Sequence, residues 1–147
     1  MKKLPIILLI LIGLLSSCFD DADCISTTTD VLSISFRKYE TNEVDTVEIV
    51  GITLAGADSV FNPKDTTTFI ILPLDPNVSS ISMSFSFETV QHELQLDYTT
   101  TPRLISPDCG VELLYDNLTI NNYDFDSVAV KTRSLNEEII PHLVIYQ

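Results

Sequence analysis

The sequence predicts an all-β protein, a single antiparallel β-sandwich of Ig-like type with about eight or nine short strands. Three observations predict it. Apolar residues alternate with polar ones at a period of two along most of the chain, as half-buried strands require. Turn-forming Asn, Asp, Gly and Pro recur between these runs at the spacing of short strands. The one stretch that could form a helical turn, Ser134-Leu135-Asn136-Glu137-Glu138, is too short to matter.

The first strand follows from Leu32, Ile34 and Phe36 alternating with Ser33, Ser35 and Arg37, and Asn42-Glu43 marks a turn. Val47 and Ile49, then Val50, Ile52 and Leu54, read as a second strand whose phase shifts near Gly51, as at a bulge. Gly56-Ala57-Asp58 turns the chain into a short Ser59-Val60-Phe61 strand, and Asn62-Pro63-Lys64-Asp65 turns it again. Thr67 to Leu72 is β-branched or apolar on both faces, the pattern of a central strand, and Pro73 and Pro76 stop it. From Ser80 to Glu88, Ile81, Met83, Phe85 and Phe87 face one way and three serines the other. Leu94, Leu96 and Tyr98 repeat the alternation, with a hairpin expected around Val90-Gln91-His92. Thr99 to Pro107 reads as loop, with at most an edge segment at Leu104-Ile105. Cys109-Gly110 opens a strand with Val111, Leu113 and Tyr115 on one face, and Asn121-Asn122 reads as a turn. Asp126 to Thr132, carrying Val128 and Val130, and Ile139 to Tyr146 complete the set.

Ahead of this domain stands an address. Lys2 and Lys3 precede an apolar run from Leu4 to Leu15, too short for a spanning helix and right for a signal peptide. Leu15-Ser16-Ser17-Cys18 resembles the bacterial lipobox, in which the cysteine is acylated and the chain is cut before it. Residues 1–17 are therefore expected to be a lipoprotein signal peptide that is removed, 18–30 a lipidated acidic tether, and 31–147 the β-domain. Asp20, Asp21 and Asp23 after the lipidated cysteine look like the acidic export signal of Bacteroidota surface lipoproteins. The expected location is the outer membrane, lipid-anchored through Cys18, with palmitate among its acyl chains and the domain facing the cell surface. Buried acyl chains contribute about 0.8 kcal/mol per methylene, so a multiply acylated cysteine is a durable anchor.

Cleavage leaves 130 residues, enough for one domain with a full core. Lys2 and Lys3 leave with the signal, so the mature chain sets 6 basic against 21 acidic residues, a net charge of −15. No basic stripe exists to neutralise phosphates, which excludes nucleic acid as a partner. The dispersed acidity disfavours adsorption on anionic lipid and leaves anchoring to the acyl group. With Cys18 assigned to lipid, Cys24 and Cys109 form an even pair bound for an oxidising compartment, where a disulfide is expected. It would close a loop of about 85 residues and contribute roughly 4–5 kcal/mol in the chain-entropy model. Neither cysteine has a CxxC or nearby His partner, so no metal site is expected.

The chain resembles a family of small Bacteroidota lipoproteins classified only as a domain of unknown function. The resemblance is carried by the lipobox with a second Cys (Cys24) soon after, Phe36-Arg37-Lys38-Tyr39, Ile71 to Leu74, Leu94 to Tyr98, and Ser106-Pro107-Asp108-Cys109-Gly110-Val111 with Tyr115 and Asn117 behind it. Thr27-Thr28-Thr29-Asp30 departs from it where a proline would stand before the first strand. The resemblance implies a two-cysteine secreted β-domain and leaves activity open.

No catalytic constellation emerges. His92 and His142 are the only histidines, and no nucleophile stands near either in the sequence pattern. Asp124 with Asp126 and Glu137 with Glu138 are carboxylate pairs of the kind expected by chance among 21 acids. Four glycines include no phosphate-binding spacing, no calcium loop is present, and no cofactor is implied. Four segments, at Asp45-Thr46-Val47, Asp58-Ser59-Val60, Asp65-Thr66-Thr67 and Asp126-Ser127-Val128, match the Bacteroidota O-glycan acceptor and make Thr46, Ser59, Thr66 and Ser127 candidate sites. Tyr39, Tyr115 and Tyr123 are the aromatics that could stack on sugar. The expectation is a non-enzymatic binding or structural module of the envelope that contacts other envelope proteins or surface glycans. The alternative is a small hydrolase working on cell-surface polymers through its acids.

Overall fold

Strands form where the alternation is found, and the computed structural model describes them at residues 24, 30–55, 65–135 and 140–147. Ten strands lie among these residues: β1 (Val31–Arg37), β2 (Val47–Ile49), β3 (Gly51–Leu54), β4 (Asp65–Thr67), β5 (Phe69–Pro73), β6 (Ser80–Ser86), β7 (Gln91–Ser106), β8 (Gly110–Tyr123), β9 (Ser127–Val130) and β10 (Leu143–Tyr146). The described residues contain no helix, and the protein is all-β. One four-stranded sheet has the order β5-β1-β10-β9, another β3-β6-β7-β8, and β2 pairs with β4 in a small third sheet. None closes into a barrel.

Both large sheets direct their apolar positions into one hydrophobic cluster. Leu32, Ile34 and Phe36 of β1 and Leu143 and Ile145 of β10 meet Ile81, Met83 and Phe85 of β6 and Leu94, Leu96 and Tyr98 of β7 there. The period-two reading therefore assigns the core residues of these strands correctly. Two stretches pass between sheets. Val47 to Leu54 bends at Val50, whose N–H donates to the Ser86 carbonyl, so β2 joins the small sheet and β3 joins β6. This is the phase shift read at Gly51: Val47, Ile49 and then Ile52 are buried, while Val50 is exposed. The stretch from Asp65 to Pro73 bends likewise at Thr68, joining β4 to β2 and β5 to β1. Such bends let one strand serve two sheets at a corner.

Several expectations are corrected. The pairing is not wholly antiparallel, because β1 runs parallel to β10, from Ile34↔Leu143 to Arg37↔Tyr146. A parallel pair needs a long connection, and here the rest of the domain supplies it. The strands number more than eight or nine and are not all short, since β7 has 16 residues and β8 has 14. Thr67 to Leu72 is not a central strand, because its β5 part lies at a sheet edge with Ile71 exposed. The β6–β7 turn closes before Gln91, through the Phe87 N–H to the Val90 carbonyl, so Gln91 and His92 are in the strand.

The largest departure is at Thr99 to Pro107, read as loop and found as the second half of β7 up to Ser106. β6 accompanies β7 only as far as Ser80↔Asp97, and beyond that β7 and β8 continue as a two-stranded ribbon. With a strand on one side only, β7 can hold Pro102 although proline cannot donate to a ladder. Asn121-Asn122 is not a turn either. Both lie in β8, where the register slips by one residue between Gln95↔Asn122 and Leu96↔Ile120. A second slip falls at Asn117, which takes φ 58°, a conformation asparagine tolerates. The slip at Asn117 breaks strict alternation, which is why Leu118 is buried together with Tyr115, three positions before it.

Candidate functional site

Three groups of chemically capable residues stand out, and each is built by the strand register. The first is the tip of the β7–β8 ribbon. Ser106 pairs with Gly110 across a three-residue turn, and the Cys109 N–H donates to Ser106 Oγ at 3.0 Å. Gly110 takes φ +81°, the left-handed region that a turn of this kind requires. Cys109 is thereby presented to Cys24, and their sulfurs are bonded at 2.06 Å with Cα atoms 5.3 Å apart.

The second group surrounds His92. The β6–β7 register sets it opposite Phe85, and its ring stacks on Phe125 at 4.6 Å and meets Phe87 edge-on at 5.8 Å. Its Nδ1 is 3.2 Å from Asp124 Oδ1, the same oxygen that accepts the Glu93 N–H at 2.7 Å. A carboxylate thus orients the imidazole, as in a general base. Among the described residues, however, no hydroxyl or thiol is hydrogen-bonded to His92. Phe85 and Phe125 pack edge to face at 5.5 Å beneath it, so the imidazole extends the core's aromatic packing to the surface.

The third group is buried. Ser33 on β1 and His142, the residue just before β10, are both 0 % exposed. His142 Nδ1 accepts the Ser33 N–H at 3.1 Å and lies 2.8 Å from Ser33 Oγ. The His142 N–H in turn faces the Ser33 carbonyl at 3.0 Å and Oγ at 3.2 Å, while Oγ donates to the Ile140 carbonyl. An Nδ1 that accepts places the ring proton on Nε2, and burial lowers the pKa from its ordinary value. This Ser–His contact fastens the parallel first and last strands. With both residues out of contact with solvent, it is not a nucleophile and base.

Of the two carboxylate pairs, the described one, Asp124 with Asp126, is drawn to separate surroundings. Asp124 is engaged with Glu93 and His92, whereas Asp126 lines an open depression of about 380 Å³ beside Lys38, Tyr39 and Gln147. A second open depression, about 400 Å³, lies over the outer face of the β1 sheet between Arg37, Lys131 and Val144. Glu137, Glu138, Cys18 and Asp20 to Asp23 lie outside the described residues. Among the described residues no three His, Cys, Asp or Glu side chains gather as a metal ion would need. Of the tyrosines, Tyr39 is exposed and so is Tyr123 at the end of β8, but Tyr115 is a core residue and not a stacking platform. Burial raises the pKa of Tyr115 and also that of Tyr98, whose hydroxyl donates to the Asp75 carbonyl at 2.9 Å. Thr46 and Thr66 are exposed beside and on the small sheet, Ser127 is half-buried opposite Tyr146, and Ser59 lies outside the described residues.

Sequence reading missed the ribbon and the exposed Leu104 and Val111 that pair across it. The Thr99-Thr100-Thr101 run carries a strand signal in its β-branched residues, and Pro102 masks it. Comparison with known proteins finds a model described as a family of unknown function (DUF6452) that matches residues 46–147, from just before β2 to the end of β10. No curated protein and no solved structure matches the chain.

Proposed function

The chain belongs to this family of unknown function, and from that premise we propose that it is a lipid-anchored envelope protein whose β-domain serves as a non-enzymatic binding or structural module at the outer-membrane surface. The observation that carries the reading is the covalent link of Cys24 to Cys109. Cys24 is six residues beyond the lipobox cysteine Cys18, so an acyl anchor there would hold the domain by a short, fixed attachment. The acidic run after Cys18 favours export to the outer face, and a Bacteroidota envelope is the setting in which lipobox, acidic signal and O-glycan acceptors make sense together. Exposed Thr46 and Thr66, with Ser59 and Ser127, are the proposed glycan acceptors. We read the architecture as an Ig-like sandwich, supported by a single core fed by both four-stranded sheets and by strands that cross between them at corners. Its edge strands, with Tyr39 and Tyr123 on the surface, offer contact to envelope proteins or glycans.

Envelope fractionation tests the anchor. Cys18→Ala should move the chain from the membrane to the soluble fraction and abolish incorporation of labelled palmitate, and retention in the membrane would refute it. Intact mass of protein from its native envelope should exceed polypeptide plus acyl groups if glycans are attached.

A further inference from the structure

The face of the β7–β8 ribbon that begins in the core continues past it. Its cross-strand rows run outward from Thr100–Tyr115 through Pro102–Leu113 to Leu104–Val111. Tyr115 is 1 % exposed and Leu113 packs half-buried against the core, but Leu104 is 62 % and Val111 59 % exposed. The opposite face is polar at the same level, where Arg103 pairs with the buried Glu112. A two-stranded ribbon is at best marginally stable alone in water, and this one ends in an uncovered aliphatic pair beside the Cys24–Cys109 bond.

We propose that this face rests on the lipid leaflet that holds the acyl anchor, with Leu104 and Val111 entering the interfacial layer. The inference depends on acylation of Cys18. Chain length favours lipid as the occupant. Cys18 and Cys24 are six residues apart, so the cystine lies no more than about 20 Å from the anchor point however the tether runs. Val111 is two positions from Cys109, so the leaflet is always within reach of the pair. Charge fixes the kind of lipid. Arg103 is matched by Glu112, which leaves Asp108 at the turn and the acids of the tether, and these favour an uncharged zwitterionic leaflet over an anionic one.

The chain contains no tryptophan, so Val111→Trp and, separately, Leu104→Trp each place a single fluorophore at the tip. Val90→Trp, at an exposed site before β7, places one at the far end of a strand about 50 Å long. The acylated full-length mature protein is reconstituted into phosphatidylcholine vesicles with and without brominated acyl chains. The tip probes should shift to the blue on reconstitution and be quenched at least about twofold more than the Val90 probe, as interfacial burial requires. Co-sedimentation with vesicles but equal quenching at both ends overturns the docking and leaves the anchor intact. Failure to co-sediment overturns both. A blue shift at the tip without vesicles, growing with protein concentration, overturns lipid as the occupant in favour of a second copy of the chain.

Discussion

Acidification below pH 6.5 should destabilise this domain through one side chain, His142. Its ring is buried between β1 and β10, and burial lowers its pKa from the ordinary 6.5. The hydrogen bonds act in the same direction, because a proton on Nδ1 would point at the Ser33 N–H that now donates to it. The unfolded chain therefore takes up a proton near pH 6.5 that the folded chain refuses. Stability from this residue is complete above pH 6.5 and is lost as pH falls from there to the folded pKa. Within that window each pH unit removes about 1.4 kcal/mol, a tenfold change in the unfolding constant. Urea unfolding at pH 7.5, 6.5 and 5.5 compares the wild type with His142→Asn, whose side-chain carbonyl can still accept the Ser33 N–H. The variant will be less stable throughout, but its stability should change less between pH 6.5 and 5.5, by up to about 1 kcal/mol, because the unfolded imidazole is already half protonated at the upper end of that interval. Parallel pH profiles would refute the assignment of His142 as a buried neutral base.

Other tests are simpler. Phe85→Ala should cost about 3–5 kcal/mol, because Phe85 is 0 % exposed and packs on Phe125; a loss below about 1 kcal/mol in urea unfolding would place the strand's phase in error. Gly110→Ala should cost about 1–2 kcal/mol from backbone conformation alone, since a Cβ there meets nothing within 4 Å; a much larger loss would mean the turn is crowded. Reducing the Cys24–Cys109 bond, which spans 85 residues, should lower stability by up to about 4.6 kcal/mol by loop entropy, and an unchanged unfolding midpoint would show that the link does not constrain the unfolded chain.

Much of the fold was legible because a half-buried strand writes its burial into alternate residues. Leu32, Ile34 and Phe36, and Ile81, Met83 and Phe85, could be assigned to a core face from alternation alone, although Ser33, which the alternation sets on the other face, is buried as well. The same rule failed in β8, where Asn117 and Asn121 insert residues that shift the alternation. It failed at Thr99 to Ser106 because Pro102 is a loop signal unless the strand has a partner on one side only, which is a property of the sheet. The candidate groups were less visible still. His92 with Asp124 and His142 with Ser33 join residues 32 and 109 positions apart, and no local pattern records such a meeting.

The residues alone determined that this is an all-β chain, which side chains of its regular strands are apolar, that Cys24 and Cys109 are a natural pair, and that a lipobox-like cysteine precedes them. Each follows from local chemistry: alternation, charge, or the count of thiols. Tertiary structure decided the rest. It paired the first strand with the last in parallel, turned His142 into a buried clasp beyond solvent's reach, and carried one face of the sheet past the core to an exposed Leu104–Val111 pair. Those outcomes depend on which strand ends first beside its neighbour, a question of register between distant segments.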